Sequence, residues 1–78
     1  MLRKTEKLLI TFYTTTDAMA MESLCKEQGM PGRIIPVPGD ISADCGLGWC
    51  AGMDDEKPLI EFVKSNNLKF QGVHRCMI

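Results

Sequence analysis

The first hydrophobic positions of the chain fall on both sides of a short alternating run. Leu8, Ile10 and Phe12 share one side, and the other side holds Leu9 and Tyr13. A run of branched and aromatic residues that is apolar on both sides is typical of an interior β-strand. The pattern predicts that the first strand is central in a sheet.

A helix is predicted next, because apolar residues recur there at helical spacing. Its apolar positions are Ala18, Met21, Leu24 and Cys25. The preceding threonines and Asp17 offer N-cap oxygens, and Gly29 is a typical C-terminal stop. Cys25 is therefore expected on the buried stripe of an amphipathic helix.

Residues 33–37 form a second short apolar run. Pro36 within it cannot donate a ladder hydrogen bond, which favours an edge strand or an irregular one. A third strand is predicted where Leu47, Trp49 and Ala51 alternate with Gly48 and Cys50. The second and third strands then form a long hairpin.

The last part of the chain predicts a helix and a strand. Asp54-Asp55-Glu56 places acidic residues at the positive end of a helix, and Pro58 is tolerated in a first turn. The apolar face of this helix consists of Leu59, Ile60, Phe62 and Val63. Asn66-Asn67 stops it, and an edge strand begins at about Val73 after a break at Gly72.

The predicted order of elements is βαββαβ. This order favours an α+β fold of the ferredoxin-like type, which is a four-stranded antiparallel sheet with two helices on one face. No linker or low-complexity segment divides the chain. Residues 1–78 are therefore expected to form a single domain.

Composition and charge exclude several classes of partner. The formal net charge is −1, so there is no positive excess to attract a phosphate backbone, and no nucleic acid is expected as a partner. The N-terminal apolar run is too short for a signal peptide or a membrane span, so no membrane partner is expected. A cytoplasmic location is expected, where the four cysteines are mostly reduced.

Cys45 lies in an unusual setting for a cysteine. Its neighbours Ser42, Asp44 and Gly46 are turn-forming residues, so its thiol is expected to be reachable. A thiolate attacks electrophilic sulfur or selenium and can then hold the transferred atom. Backbone N–H groups at Gly46 are expected to support the anion, whereas the carboxylate of Asp44 disfavours it.

The other chemically interesting residues are given structural interpretations. Cys50 lies about 16 Å from Cys45 along an extended strand at about 3.3 Å per residue, too far for a disulfide. Cys76 and His74 are expected to be structural or solvated. A zinc site built from Cys45, Cys50, Cys76 and His74 is disfavoured because the spacing lacks paired CxxC motifs. No cofactor and no metal are predicted, and whether Cys50, Cys76 or His74 assists Cys45 is left open.

Several segments together resemble a known family. They are Leu9-Ile10-Thr11-Phe12, Thr15-Thr16-Asp17-Ala18, Gly29-Met30, Arg33-Ile34-Ile35-Pro36-Val37-Pro38 and Ile41-Ser42-Ala43-Asp44-Cys45-Gly46-Leu47. The chain is similar to the DUF3343 family, whose members are described as selenium/sulfur carrier-like proteins. The resemblance implies a ferredoxin-like fold and a carrier cysteine at Cys45. The chain departs from the family pattern at Gly39, which stands where a basic residue commonly follows the second proline, and this departure weakens the idea that a positive charge there activates the thiol.

Three functions are compatible with these observations. The first is a carrier, rather than an enzyme with turnover, that holds a persulfide or selenopersulfide on Cys45 for transfer between donor and acceptor proteins. The second is an interaction module that forms a homodimer or docks a partner through the sheet face that the helices leave uncovered. The third is a thiol redox sensor that pairs Cys45 with a second cysteine.

Overall fold

The fold is described from a computed structural model, in which residues 5–39, 41 and 43–77 are described. Asp40, Ser42, Ile78 and the N-terminal residues 1–4 lie outside the described residues, and so does the predicted turn-forming role of Ser42 beside Cys45. The elements are β1 (Glu6–Thr11), α1 (Thr15–Gln28), β2 (Arg33–Pro36), β3 (Leu47–Gly52), a 3-10 turn (Met53–Asp55), α2 (Glu56–Ser65) and β4 (Gly72–Met77).

The four strands form one antiparallel sheet in the order β2-β3-β1-β4. Leu9 of β1 lies opposite Cys50 of β3 on one side and opposite His74 of β4 on the other. The predicted ferredoxin-like fold is confirmed, with β1 central and with β2 and β4 at the edges. No helix among the described residues is both long enough and apolar enough to cross a bilayer.

Both helices pack on the same face of the sheet. Their buried residues and those of β1 and β3 form one core, made of Leu8, Ile10, Phe12, Ala18, Met21, Cys25, Trp49, Ala51, Leu59 and Val63. Burying a large apolar side chain contributes about 1.5–3 kcal/mol. The contact between the sheet and the helices is thus the main source of stability for a chain of this size.

The helices begin and end close to where the sequence predicts. Thr14 is the N-cap of α1, and its hydroxyl oxygen accepts from the Asp17 N–H at 3.1 Å. Gly29 ends α1 with φ 71°, in the left-handed region that favours glycine. Pro58 lies in the first turn of α2, and Asn66 is its C-cap.

Pro36 is tolerated in β2 because hydrogen-bonded and non-hydrogen-bonded pairs alternate along the hairpin. The Val37 N–H donates to the Gly46 carbonyl at 2.9 Å, so the pairing of β2 with β3 continues one residue beyond the strands. Since bonded and non-bonded pairs alternate in an antiparallel ladder, the adjacent pair of Pro36 and Leu47 is a non-bonded one. No N–H is needed from Pro36, and the backbone groups of Leu47 point away from β2.

The sheet face opposite the helices, which we call the open face, includes three glycines. Its residues are Lys7, Leu9, Thr11, Arg33, Ile35, Gly48, Cys50, Gly52, Gly72, His74 and Cys76. A Cβ at Gly48 would meet the Leu9 side chain at 2.8 Å, so Leu9 occupies the space that a larger residue would fill. Leu9 is fully buried and Cys50 is 8% exposed, so these two apolar side chains of the open face are already shielded from water.

Gly32 lies directly before β2 and packs closely against Trp49, the only tryptophan of the chain. Trp49 donates from its indole N–H to the Pro31 carbonyl at 3.0 Å and is 2% exposed. Gly32 has φ 117°, and a Cβ there would collide with the Trp49 indole and lie 2.7 Å from the Cys50 carbonyl oxygen. Only glycine fits between these groups.

We expect Gly32→Ala to lower the free energy of unfolding by at least about 2 kcal/mol, because backbone strain and overpacking act together. Urea unfolding followed by Trp49 fluorescence measures the loss. Gly39→Ala is the matched control, since a Cβ at Gly39 meets nothing within 4 Å, and it should change stability little. Equal stability of the two variants would contradict the packing described for Gly32.

Candidate functional site

Residues 37–46 connect β2 to β3, and we call them the cysteine loop. The bond from the Val37 N–H to the Gly46 carbonyl closes its base. Near its middle, the Ile41 N–H donates to the Pro38 carbonyl at 3.0 Å, which forms a turn.

Cys45 lies in a second turn, directly before β3. The Gly46 N–H donates to the Ala43 carbonyl at 3.3 Å, which makes Cys45 the second central residue of that turn. Gly46 has φ 73°, with nothing within 4 Å of the position a Cβ would take, so glycine is favoured there by backbone conformation alone. The N–H of Gly46 is thus engaged within the turn.

The sulfur of Cys45 contacts the backbone of Leu47. The Leu47 N–H donates to Sγ at 3.4 Å, and the thiol donates to the Leu47 carbonyl oxygen at 3.4 Å. Those backbone groups point away from β2, next to the end of β1. The donor to sulfur is the amide of Leu47, which comes directly after the turn that contains Gly46.

The thiol of Cys45 is half-buried. It is a free cysteine, and its side chain packs against the core between sheet and helices. The sequence predicted a reachable thiol, and the structure leaves the residue partly exposed at the end of the sheet where α1 begins.

Gln71 connects the cysteine loop to the strands. Its backbone N–H donates to the Thr11 carbonyl at 2.6 Å, and its side-chain oxygen accepts from the Asp44 N–H at 3.0 Å. No local pattern predicts this contact, because 27 positions separate the two residues. The nearest hint was the predicted break at Gly72.

The other two buried cysteines have environments that favour the neutral thiol. Cys25 is fully buried on α1, and burial raises the pKa of its thiol from 9.0 to about 11. Burial also raises the pKa of the Cys50 thiol on the open face, while the positive charges of Lys7 and Arg33 oppose that rise. A buried neutral thiol is a poor nucleophile.

His74 and Cys76 lie on the open face with Cys50, whereas Cys45 packs on the helix side. The His74 ring nitrogen Nε2 lies 3.3 Å from the Thr11 hydroxyl oxygen. The four side chains considered for zinc are thus divided between two faces. Within the described parts of the chain, no three His, Cys, Asp or Glu side chains gather as ligands for a metal.

Two basic residues of the strands lie away from the cysteine loop, and a third is exposed before β4. Arg75 forms an ion pair with Glu56 of α2, with nitrogen–oxygen distances of 3.2 and 3.0 Å. Arg33 lies opposite Cys50 at the far end of the hairpin. Lys69 is exposed in the segment before β4.

Comparison with known proteins gave one match. A family model described as "Putative Se/S carrier protein-like" matches residues 7–75, which include both the cysteine loop and all four strands except their outermost residues. Neither the curated proteins nor the solved structures that were searched contained a match.

The raised pKa of Cys25 predicts a loss of stability at alkaline pH. The unfolded chain releases this proton near pH 9.0 and the folded chain near pH 11. The contribution of the neutral Cys25 thiol to the free energy of unfolding is therefore fully present below pH 9 and is lost as the pH rises toward 11. Unfolding in urea across this range should show a steeper decline for the wild type than for Cys25→Ala.

Cys45→Ala serves as the control for that experiment and should retain the steep alkaline decline. Apart from the substituted cysteine the three proteins are identical, so the difference between the curves isolates Cys25. Parallel curves for the wild type and Cys25→Ala would contradict the assignment.

Proposed function

The chain belongs to the "Putative Se/S carrier protein-like" family, and we propose that it carries sulfur or selenium on Cys45 between a donor and an acceptor protein. The observation that carries the proposal is the setting of the sulfur. It lies in a glycine turn at one end of the sheet, half-buried, with the Leu47 N–H as a hydrogen-bond donor. Such a setting suits a thiol that holds an atom and releases it.

The proposed loading step is an exchange between a persulfide and a thiolate. The Cys45 thiolate attacks the outer sulfur of a donor persulfide, a new S–S bond forms on Cys45, and the donor's S–S bond breaks. The donor leaves as a thiolate, and the hydrogen of its persulfide stays on the transferred sulfur. Delivery to the acceptor is the same step with Cys45 as leaving group, so no external oxidant or reductant is required.

Two features of the site favour this exchange. An N–H donor on sulfur stabilises a negative charge on it, both when Cys45 attacks and when it leaves. Partial burial limits access of water and small thiols to the bound atom. The selenium version of the step differs only in the element that is transferred.

The separation of His74 from Cys45 supports a carrier rather than an enzyme with turnover. A cysteine nucleophile in an enzyme is usually activated by a histidine within hydrogen-bond reach. The only histidine of the chain lies on the open face, while Cys45 packs on the helix side. The partner enzymes would therefore supply the activated persulfide.

We expect a cysteine desulfurase with cysteine to add one labile sulfur atom to the protein, and with selenocysteine one selenium atom. Intact mass spectrometry detects the added atom, and peptide mapping should place it on Cys45. Dithiothreitol should remove it. Cys76→Ser, which alters another partly buried cysteine, is the matched control and should load like the wild type.

The carrier proposal fails if the wild type gains no labile atom. It also fails if Cys45→Ser is labelled to the same extent as the wild type. Circular dichroism of Cys45→Ser establishes that any loss of loading does not come from unfolding.

The open face supports a second candidate function, which is docking of a partner protein. Its strand residues include Lys7, Arg33 and His74, and none of them is acidic. Two copies joined face to face would bring like charges together, so this charge pattern favours an acidic partner over a homodimer. The buried state of Leu9 and Cys50 also leaves little apolar area to drive self-association.

We therefore expect a monomer in sedimentation velocity at micromolar concentration. A dimer that Arg33→Glu weakens, while Lys57→Glu on α2 does not, would contradict this preference and identify the open face as a self-association surface. Lys57 is a suitable control because it is exposed on the helix layer.

A further inference from the structure

Gln71 joins the end of β1 to the turn that holds Cys45. Its main chain is held by the Thr11 carbonyl at the end of β1, at 2.6 Å. Its side chain then reaches the residue directly before Cys45, the N–H of Asp44, at 3.0 Å. The anchor is rigid on the strand side, because β1 is paired along its whole length with β3 or β4.

The turn that holds Cys45 has weak internal contacts. The Gly46 N–H is 3.3 Å from the Ala43 carbonyl oxygen, and both sulfur contacts to Leu47 are 3.4 Å long. A thiol is a weak donor and a weak acceptor. Asp44 is exposed, so without Gln71 its N–H would bond to water and the turn would lose this contact with the segment anchored at the end of β1.

We propose that Gln71 is a positioning residue that holds the turn of residues 43–46 against the sheet, so that the Cys45 sulfur stays beside the Leu47 amide. The proposal rests on the proposed function in one respect, namely that Cys45 is the functional cysteine. The anchoring itself is independent of which atom, if any, the sulfur carries.

The chemistry of the contact provides a matched pair of variants. The side-chain oxygen of Gln71 acts only as an acceptor here, so Gln71→Glu retains an acceptor at the same reach. Gln71→Met has nearly the same length without an oxygen acceptor. The backbone bond to Thr11 is retained in both variants.

The test is the alkylation rate of each cysteine with iodoacetamide, measured by peptide mass spectrometry at one fixed pH. High salt screens the charge that Gln71→Glu adds. We expect Gln71→Met to accelerate alkylation of Cys45 by about fivefold, the effect of losing one ordinary hydrogen bond that keeps the sulfur covered. Gln71→Glu should remain within about twofold of the wild type, by the same reasoning.

The buried cysteines report whether an effect is local. Cys25 and Cys50 should react at wild-type rates in both variants, because global loosening would accelerate them together with Cys45. An unchanged Cys45 rate in Gln71→Met overturns the proposal. So does a parallel acceleration of Cys25 and Cys50, or an equal acceleration in Gln71→Glu.

This test separates the positioning role from the carrier function. Iodoacetamide requires no persulfide, so selective acceleration of Cys45 in Gln71→Met supports the anchor even where sulfur loading fails. Successful loading with an unchanged alkylation pattern in both variants would support the carrier and reject the anchor.

Discussion

The pairing of β1 on both of its edges is the constraint on which the rest of the molecule depends. β3 lies along one edge and β4 along the other, so the register of β1 determines which residues of three strands share a face. Leu8 and Ile10 point to the helices, and Leu9 and Thr11 point to the open face, all fully buried. A shift of one residue would exchange the two faces and expose the core, which makes the register strongly determined.

The end of β1 also determines the environment of Cys45. β3 begins at Leu47, whose backbone polar groups point away from β2 and toward the end of β1. The thiol of Cys45 and the main chain of Gln71 occupy this end of the sheet, each through a hydrogen bond to a strand residue. The candidate site is thus built from strand ends rather than from a cavity.

The sequence predicted the fold well because the relevant signals are local. Alternation along β1 and β3, the cap residues of α1 and the proline of β2 each act over a few positions. The candidate site was predicted less completely. Cys45 was identified from its turn-forming neighbours, but its partial burial depends on packing against the helices, and the contact from Gln71 to Asp44 links positions distant in sequence. The Leu47 N–H was not singled out as a donor to the sulfur, because the composition of the turn does not specify its conformation.

The two contacts between Cys45 and Leu47 have different fates when the sulfur is occupied. Any group bonded to Sγ replaces the S–H hydrogen, so the Leu47 carbonyl oxygen loses its donor, while the Leu47 N–H keeps its acceptor. A group bonded to Sγ would therefore keep the contact from the Leu47 N–H and give up the donation from Sγ to the Leu47 carbonyl. The surroundings of the sulfur at the first residue of β3 thus differ between the bare and the modified cysteine.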